Sequence, residues 1–122
     1  MKPVFLVDDS TTMLASMAGV LKQAGVAVET AGNAEQALAK LASGPPLRLM
    51  ITDYHMPGMN GVELIKAVRK LPPYRFLPIL VLTTVSEDSK RADARVAGAT
   101  GWLVKPVPSD KLLAVIKQVA PG

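Results

Sequence analysis

The sequence predicts an α/β fold in which helices cover both faces of a five-stranded parallel sheet, a doubly wound arrangement. Five short apolar runs with the composition of strands alternate with segments whose apolar residues recur at helical spacing. The runs at residues 4–7 and 79–82 are continuously apolar, which is typical of strands buried on both faces. Alternation of this kind predicts parallel strands joined by right-handed crossovers.

The first half of the chain contains two strand-helix units. Residues 4–7 form the first predicted strand, and Asp9 or Ser10 can cap a helix that Gly25 ends. Residues 26–30 alternate between apolar and polar side chains, which indicates a half-buried edge strand. The apolar positions of the two helices are Leu14, Met17, Ala18 and Leu21 in the first, and Ala34, Ala37, Leu38 and Leu41 in the second.

Three further units follow. Residues 47–51 form the central strand, and Asn60 and the glycine after it open the third helix. Residues 79–82 form the fourth strand and residues 102–104 the last. The helix predicted between them, over residues 86–96, carries few large apolar side chains, so we expect burial to hold it less firmly. The remaining apolar stripes are Leu64, Ile65, Val68 and Leu71 in the third helix, and Leu112, Val115, Ile116 and Val119 in the last.

Length, composition and charge exclude several classes of protein. A chain of 122 residues has room for one hydrophobic core, so we expect a single domain over residues 1–122. No apolar run approaches the roughly 20 residues that cross a bilayer, and Asp8 and Asp9 come too early for a signal peptide. The absence of cysteine excludes disulfides and thiol chemistry and agrees with a reducing compartment, so we expect a cytoplasmic protein.

The net charge of +4 comes from basic residues that are scattered among acids along the chain. Aromatic residues are too few to form a surface on which nucleic-acid bases could stack. We interpret the charge as a solvated basic exterior. We therefore expect neither nucleic acid nor a membrane as a partner, and we expect a monomer.

Polar residues stand where four of the five predicted strands end. Asp8 and Asp9 follow the first strand, Asp53 the third, Thr83 the fourth and Lys105 the last. The carboxyl ends of parallel strands meet at one edge of a sheet, where ligands bind in this class of fold. Each residue taken alone has an ordinary explanation, such as a helix cap for Asp9 or a solvated loop charge for Lys105. Their shared position favours one functional site.

Three carboxylates at one site repel one another and favour a hard divalent cation such as Mg²⁺. Magnesium often binds one or two carboxylates together with phosphate oxygens. Lys105 and Thr83 could then neutralise and hydrogen-bond the remaining oxygens of a phosphoryl group. Phosphate-binding glycine loops are absent, and His55, the one histidine, lacks the partners of a zinc site or hydrolytic triad. The sequence therefore predicts a phosphoryl-transfer site.

At this point the chain resembles the receiver domains of two-component response regulators, especially the stand-alone, chemotaxis-type members. The resemblance covers essentially the whole chain. It rests on Val7-Asp8-Asp9-Ser10, on Asp53 followed by Met56-Pro57-Gly58-Met59-Asn60-Gly61, on Thr83, and on Lys105-Pro106. It implies the flavodoxin-like, CheY-like fold with five helices and the strand order 2-1-3-4-5.

The resemblance also implies a role for each site residue. Asp53 is the phosphoacceptor, which takes a phosphoryl group from a phosphohistidine on a sensor histidine kinase or a histidine phosphotransfer protein. Asp9 and Asp53 bind Mg²⁺ directly, Asp8 binds it through water, and His55 supplies a backbone carbonyl. Lys105 binds a phosphoryl oxygen. Thr83 and Trp102 match the switch pair that reports phosphorylation, although most members of the family carry tyrosine or phenylalanine where this chain has Trp102.

The function expected from these roles is phosphorylation-dependent binding to a downstream protein. A phosphorelay intermediate or phosphate sink with little conformational output is an alternative on the same fold. A small phosphatase with an aspartyl-phosphate intermediate is disfavoured, because His55 stands where such enzymes carry a second acid two residues after the nucleophile. We expect no separate enzymatic activity beyond self-phosphorylation from small donors and autodephosphorylation.

Overall fold

The centre of the protein is one five-stranded parallel sheet with the strand order β2-β1-β3-β4-β5. The computed structural model describes residues 2–83, 95, 97–105 and 107–120. The predicted parallel sheet is confirmed, and so is the strand order that the resemblance implied. The strands are β1 (Val4–Val7), β2 (Val28–Ala31), β3 (Leu49–Asp53), β4 (Ile79–Thr83) and β5 (Gly101–Val104).

Helices connect the strands, and polar side chains fix where they begin. The hydroxyl of Ser10 accepts the Met13 N–H at 3.2 Å, so Ser10 is the cap of the first helix. Asn60 and Glu63 form a reciprocal capping box at the third. No helix in the described ranges is long and apolar enough to cross a membrane. The helices are α1 (Thr11–Gln23), α2 (Ala34–Leu41), α3 (Gly61–Arg69) and α4 (Ser109–Val119), with a short 3-10 helix at Pro72–Tyr74.

Four of the five expected helices are therefore present. The fifth, expected over residues 86–96, falls almost wholly outside the described residues.

The sheet divides the hydrophobic core into two clusters, because successive strand residues point to opposite faces. Phe5 and Val7 of β1 pack with α2 and α3, whereas Val4 and Leu6 pack with α1 and α4. This alternation explains why the strand is apolar at every position. Helices on both faces leave the two ends of the strands as the places where polar groups can gather.

Two strand boundaries differ from the prediction by about two residues. Residues 26–30 were predicted as the second strand, but the Val26 N–H bonds the Leu21 carbonyl at 2.9 Å and belongs to the turn after α1. The central strand was predicted at residues 47–51 and instead runs to Asp53, which pairs with Leu82 of β4. Asp53 is thus held within the sheet.

Candidate functional site

The carboxyl edge of the sheet gathers three acidic side chains. Asp8 follows β1, Asp9 comes next in the chain, and Asp53 ends β3. One carboxylate oxygen from each lies within 4.8 Å of the others. Asp8 and Asp53 are buried, whereas Asp9 is exposed. The predicted convergence of these three residues is therefore seen in the structure.

Lys105 closes the cluster from the other side. Its Nζ lies 3.2 Å from Asp8 Oδ2 and 3.2 Å from Asp53 Oδ1, and its side chain is 14% exposed. The backbone positions Lys105, because its N–H donates to the Thr83 carbonyl at 2.7 Å at the end of β4. One partly buried ammonium group therefore bridges two buried carboxylates.

The charges in this cluster are strongly coupled. Burial, followed by the charge of Asp8, raises the pKa of Asp53 and outweighs the opposing effect of Lys105. Burial by itself would lower the pKa of Lys105, but the charges of Asp53 and Asp8 overcome burial and raise it. Lys105 is thus one positive charge beside three carboxylates, which it cannot neutralise alone. The site retains an excess of negative charge.

The loop after β3 forms one wall of the site. His55 is exposed, and its imidazole packs edge-on against the Tyr54 ring with the centroids 4.8 Å apart. The loop borders an open depression of about 430 Å³ beside the acidic cluster. The depression is lined by Asp9, His55, Met56, Pro57, Gly58 and Asn60.

The two residues of the expected switch lie at different places. Thr83 is buried at the end of β4, opposite Val104, and so belongs to the edge that holds the acidic cluster. Trp102 lies two residues before the end of β5, where it is half-buried, and the structure does not bring it into that cluster. Its ring stacks against the Arg95 guanidinium, whose Cζ lies 5.3 Å from the ring centroid.

Comparison with known proteins identifies the family. The profile of the response regulator receiver domain matches residues 4–117. The chain belongs to the response regulator receiver domain family. The predicted family and fold of this receiver are therefore confirmed.

Similar proteins come from bacteria and plants. The chain is 35% identical over 108 residues to the two-component response regulator ORR11 of Oryza sativa subsp. indica, covering 88% of this chain and 74% of the relative. It is 32% identical over 117 residues to the chemotaxis protein CheY of Pseudomonas aeruginosa, covering 95% and 94%. The solved structure of Vibrio cholerae CheY4 superimposes with a TM-score of 0.93 and 41% identity over 98% of each chain.

Gly61 has a role in the receiver that its sequence position did not reveal. The sequence predicts Gly61 only as the start of a helix, and its φ is not positive. A Cβ at this position would overlap the Asp53 carbonyl oxygen and lie 3.1 Å from Tyr54 Cα. The Gly61 N–H also donates to the Tyr54 carbonyl at 2.9 Å. Glycine therefore lets α3 begin directly against the backbone of the phosphoacceptor candidate.

Gly61→Ala is expected to lower the free energy of unfolding by about 2 kcal/mol, because the added methyl forces α3 away from Asp53. Gly19→Ala is the matched control, since a Cβ there meets nothing within 4 Å. In the interior of α1 that change should stabilise the protein by about 0.5–1 kcal/mol. Urea denaturation of both variants measures the contrast, and effects of the same sign would contradict it.

Proposed function

We propose that the receiver accepts a phosphoryl group onto Asp53 and reports this change by binding another protein. The phosphoryl group comes from a phosphohistidine on a sensor histidine kinase or a histidine phosphotransfer protein. The observation that carries the proposal is the position of the Asp53 carboxylate at the end of β3. Lys105 Nζ lies 3.2 Å from it, and two further carboxylates lie beside it. Family membership supports the same role.

The transfer is a single displacement at phosphorus. A carboxylate oxygen of Asp53 attacks the phosphorus atom and forms an acyl phosphate. The bond from phosphorus to the imidazole nitrogen breaks, and its electron pair stays on that nitrogen. The phosphohistidine ring carries a proton on its other nitrogen, so it leaves as neutral imidazole. The ammonium group of Lys105, already 3.2 Å from Asp53, is placed to neutralise charge on a phosphoryl oxygen.

The acidic cluster fits a divalent cation. Three carboxylates with ligand oxygens within 4.8 Å offer the hard oxygen donors that Mg²⁺ prefers. Lys105 leaves part of their negative charge unbalanced. Asp9 and Asp53 would hold the ion directly, Asp8 through water, and His55 by its backbone carbonyl. A bound Mg²⁺ would neutralise the acids and the incoming phosphoryl oxygens.

Output is proposed to pass through Thr83 and Trp102. Thr83 lies at the edge that receives the phosphoryl group, and its carbonyl accepts the Lys105 N–H. Its hydroxyl would bond a phosphoryl oxygen, and the ring of Trp102 would then change its packing next to β4. The surface around Trp102 would carry the signal to a downstream protein.

The proposed setting follows the expectations from the sequence. The receiver would act as a single domain and a monomer in the cytoplasm, with no enzymatic activity beyond self-phosphorylation and autodephosphorylation.

Incubation with Mg²⁺ and acetyl phosphate, a small phosphoryl donor, is expected to add one phosphoryl group to the protein. Intact mass spectrometry measures the adduct directly. Chelation of Mg²⁺ with EDTA should prevent it, because the carboxylates and the donor would then repel each other. No adduct under conditions that phosphorylate another receiver would overturn the proposal.

A further inference from the structure

Phe76 is an apolar side chain held out in water. It is 94% exposed, the one large hydrophobic residue in the described ranges with such exposure. Its neighbours Tyr74 and Leu77 are buried, with 1% and 7% exposure. The loop before β4 therefore packs two of its large apolar side chains into the core and presents the third to solvent.

The backbone around Phe76 is fixed by Arg69. The Arg69 guanidinium donates to the carbonyls of Arg75 at 3.2 Å and Leu77 at 2.7 Å, on either side of Phe76. It also donates to the Tyr74 carbonyl at 2.8 Å and the Gly98 carbonyl at 2.6 Å. Phe76 is thus presented by a rigid loop, and little conformational entropy would be lost if a partner surface covered it.

Two basic residues flank this loop in the sequence, and others lie along the edge formed by the amino ends of the strands and the carboxyl ends of the helices. Six basic residues lie there, and we call these six together with Phe76 the basic edge. No described carboxylate lies within 4 Å of any of the six. Among the described lysines and arginines, Lys105 is the residue that forms ion pairs. The six are Lys2, Lys22, Arg48, Lys70, Arg75 and Lys117.

The topology explains this separation of charge. Acids stand in the first turns of α2, α3 and α4, and basic residues in the last turns of all four helices, as the helix dipoles favour. The acidic cluster lies at the opposite end of the strands from the basic edge. Glu29, an exposed acid, is the second residue of the outer strand β2. Residues that are scattered in the sequence are therefore gathered at one edge in space.

We propose that the basic edge docks the protein onto an anionic membrane surface, with Phe76 inserted among the lipid headgroups. Five strands spaced about 4.8 Å apart spread these charges over a broad edge instead of one cleft. A bilayer supplies both continuous negative charge and an apolar layer for one aromatic ring. Single-stranded nucleic acid is typically bound on several stacking aromatic side chains, whereas the basic edge has one. This inference is independent of the proposed phosphorylation.

Docking in this orientation has a consequence for the rest of the molecule. The acidic cluster at the opposite edge would face solution, since like charge repels it from the membrane. The site would stay accessible to partners while the protein is held at the surface.

Co-sedimentation of the full chain with vesicles tests the proposal at low ionic strength. Binding is expected to vesicles that contain phosphatidylglycerol and not to vesicles of phosphatidylcholine alone. Phe76→Ser should weaken binding roughly tenfold, because the ring no longer leaves water. The double variant Lys70→Gln, Arg75→Gln should weaken it by roughly tenfold or more.

Two control variants make the result specific. Lys111→Gln removes the same charge from the first turn of α4, at the other edge, and should change binding less than about twofold. Phe76→Leu should retain most of the binding. Circular dichroism checks that each variant is folded. Absence of preference for phosphatidylglycerol, equal losses for Phe76→Ser and Lys111→Gln, or tighter Phe76-dependent binding to duplex DNA would each overturn the proposal.

Discussion

Asp53→Asn is expected to remove the phosphoryl adduct completely. An amide oxygen is far less nucleophilic than a carboxylate, and it cannot form the acyl phosphate by the same displacement. Asp110→Asn is the matched control, because Asp110 is an exposed acid in the first turn of α4. Intact mass spectrometry after incubation with acetyl phosphate and Mg²⁺ should show the adduct in the control and not in Asp53→Asn.

Loss of the adduct from Asp53→Asn should not reflect unfolding. Burial and Asp8 raise the pKa of Asp53, which means that its ionised form is disfavoured in the folded protein. A neutral amide avoids that cost, so the thermal midpoint of Asp53→Asn without Mg²⁺ should equal or exceed that of the wild type. An adduct of normal yield on Asp53→Asn would place the acceptor on another residue.

The fold was largely predictable because the strands have a recognisable apolar sequence pattern. β1 and the first four residues of β4 are continuously apolar, a pattern typical of strands buried on both faces of a parallel sheet. The order of the strands came from the resemblance, since periodicity does not encode which strands are neighbours. The ends of the strands were predicted less accurately, because they depend on pairing with neighbouring strands. Asp53 belongs to β3 because it pairs with Leu82 of β4.

Part of the site could also be predicted. Strand polarity brings Asp8, Asp53, Thr83 and Lys105 to one edge whatever the details of packing. The sequence does not distinguish the burial of Asp8 from the exposure of Asp9, because that difference depends on how the loop after β1 turns. It also does not reveal that Lys105 bridges two particular carboxylates.

Two features required the three-dimensional structure. The constraint at Gly61 arises from the approach of α3 to the Asp53 backbone, which no local pattern encodes. The basic edge arises because helices run antiparallel to the strands they follow, so the last turns of separate helices meet. The sequence had suggested a solvated basic exterior with no preferred face and no membrane partner, and the proposed docking replaces that expectation. The same cations form one acid-poor edge when the chain is folded.

Lys105→Met is expected to lower the free energy of unfolding by about 3 kcal/mol at neutral pH without Mg²⁺. Methionine keeps much of the side-chain volume, so the main change is electrostatic. Asp8 and Asp53 would remain buried, with 2% and 8% of their side chains exposed, and would lose the cation 3.2 Å away. Lys111→Met is the control, because Lys111 is exposed in the first turn of α4.

The loss caused by Lys105→Met should depend on pH in a defined direction. Without Lys105 the pKa of Asp53, already raised, rises further, so the folded variant binds protons more tightly than its unfolded chain. Stability that comes from such binding is lost as pH rises through the folded pKa. The deficit relative to wild type should therefore shrink as pH falls toward about 4, where carboxyls also protonate in the unfolded chain. Urea denaturation across this range measures the trend, and a deficit independent of pH would contradict an electrostatic role for Lys105.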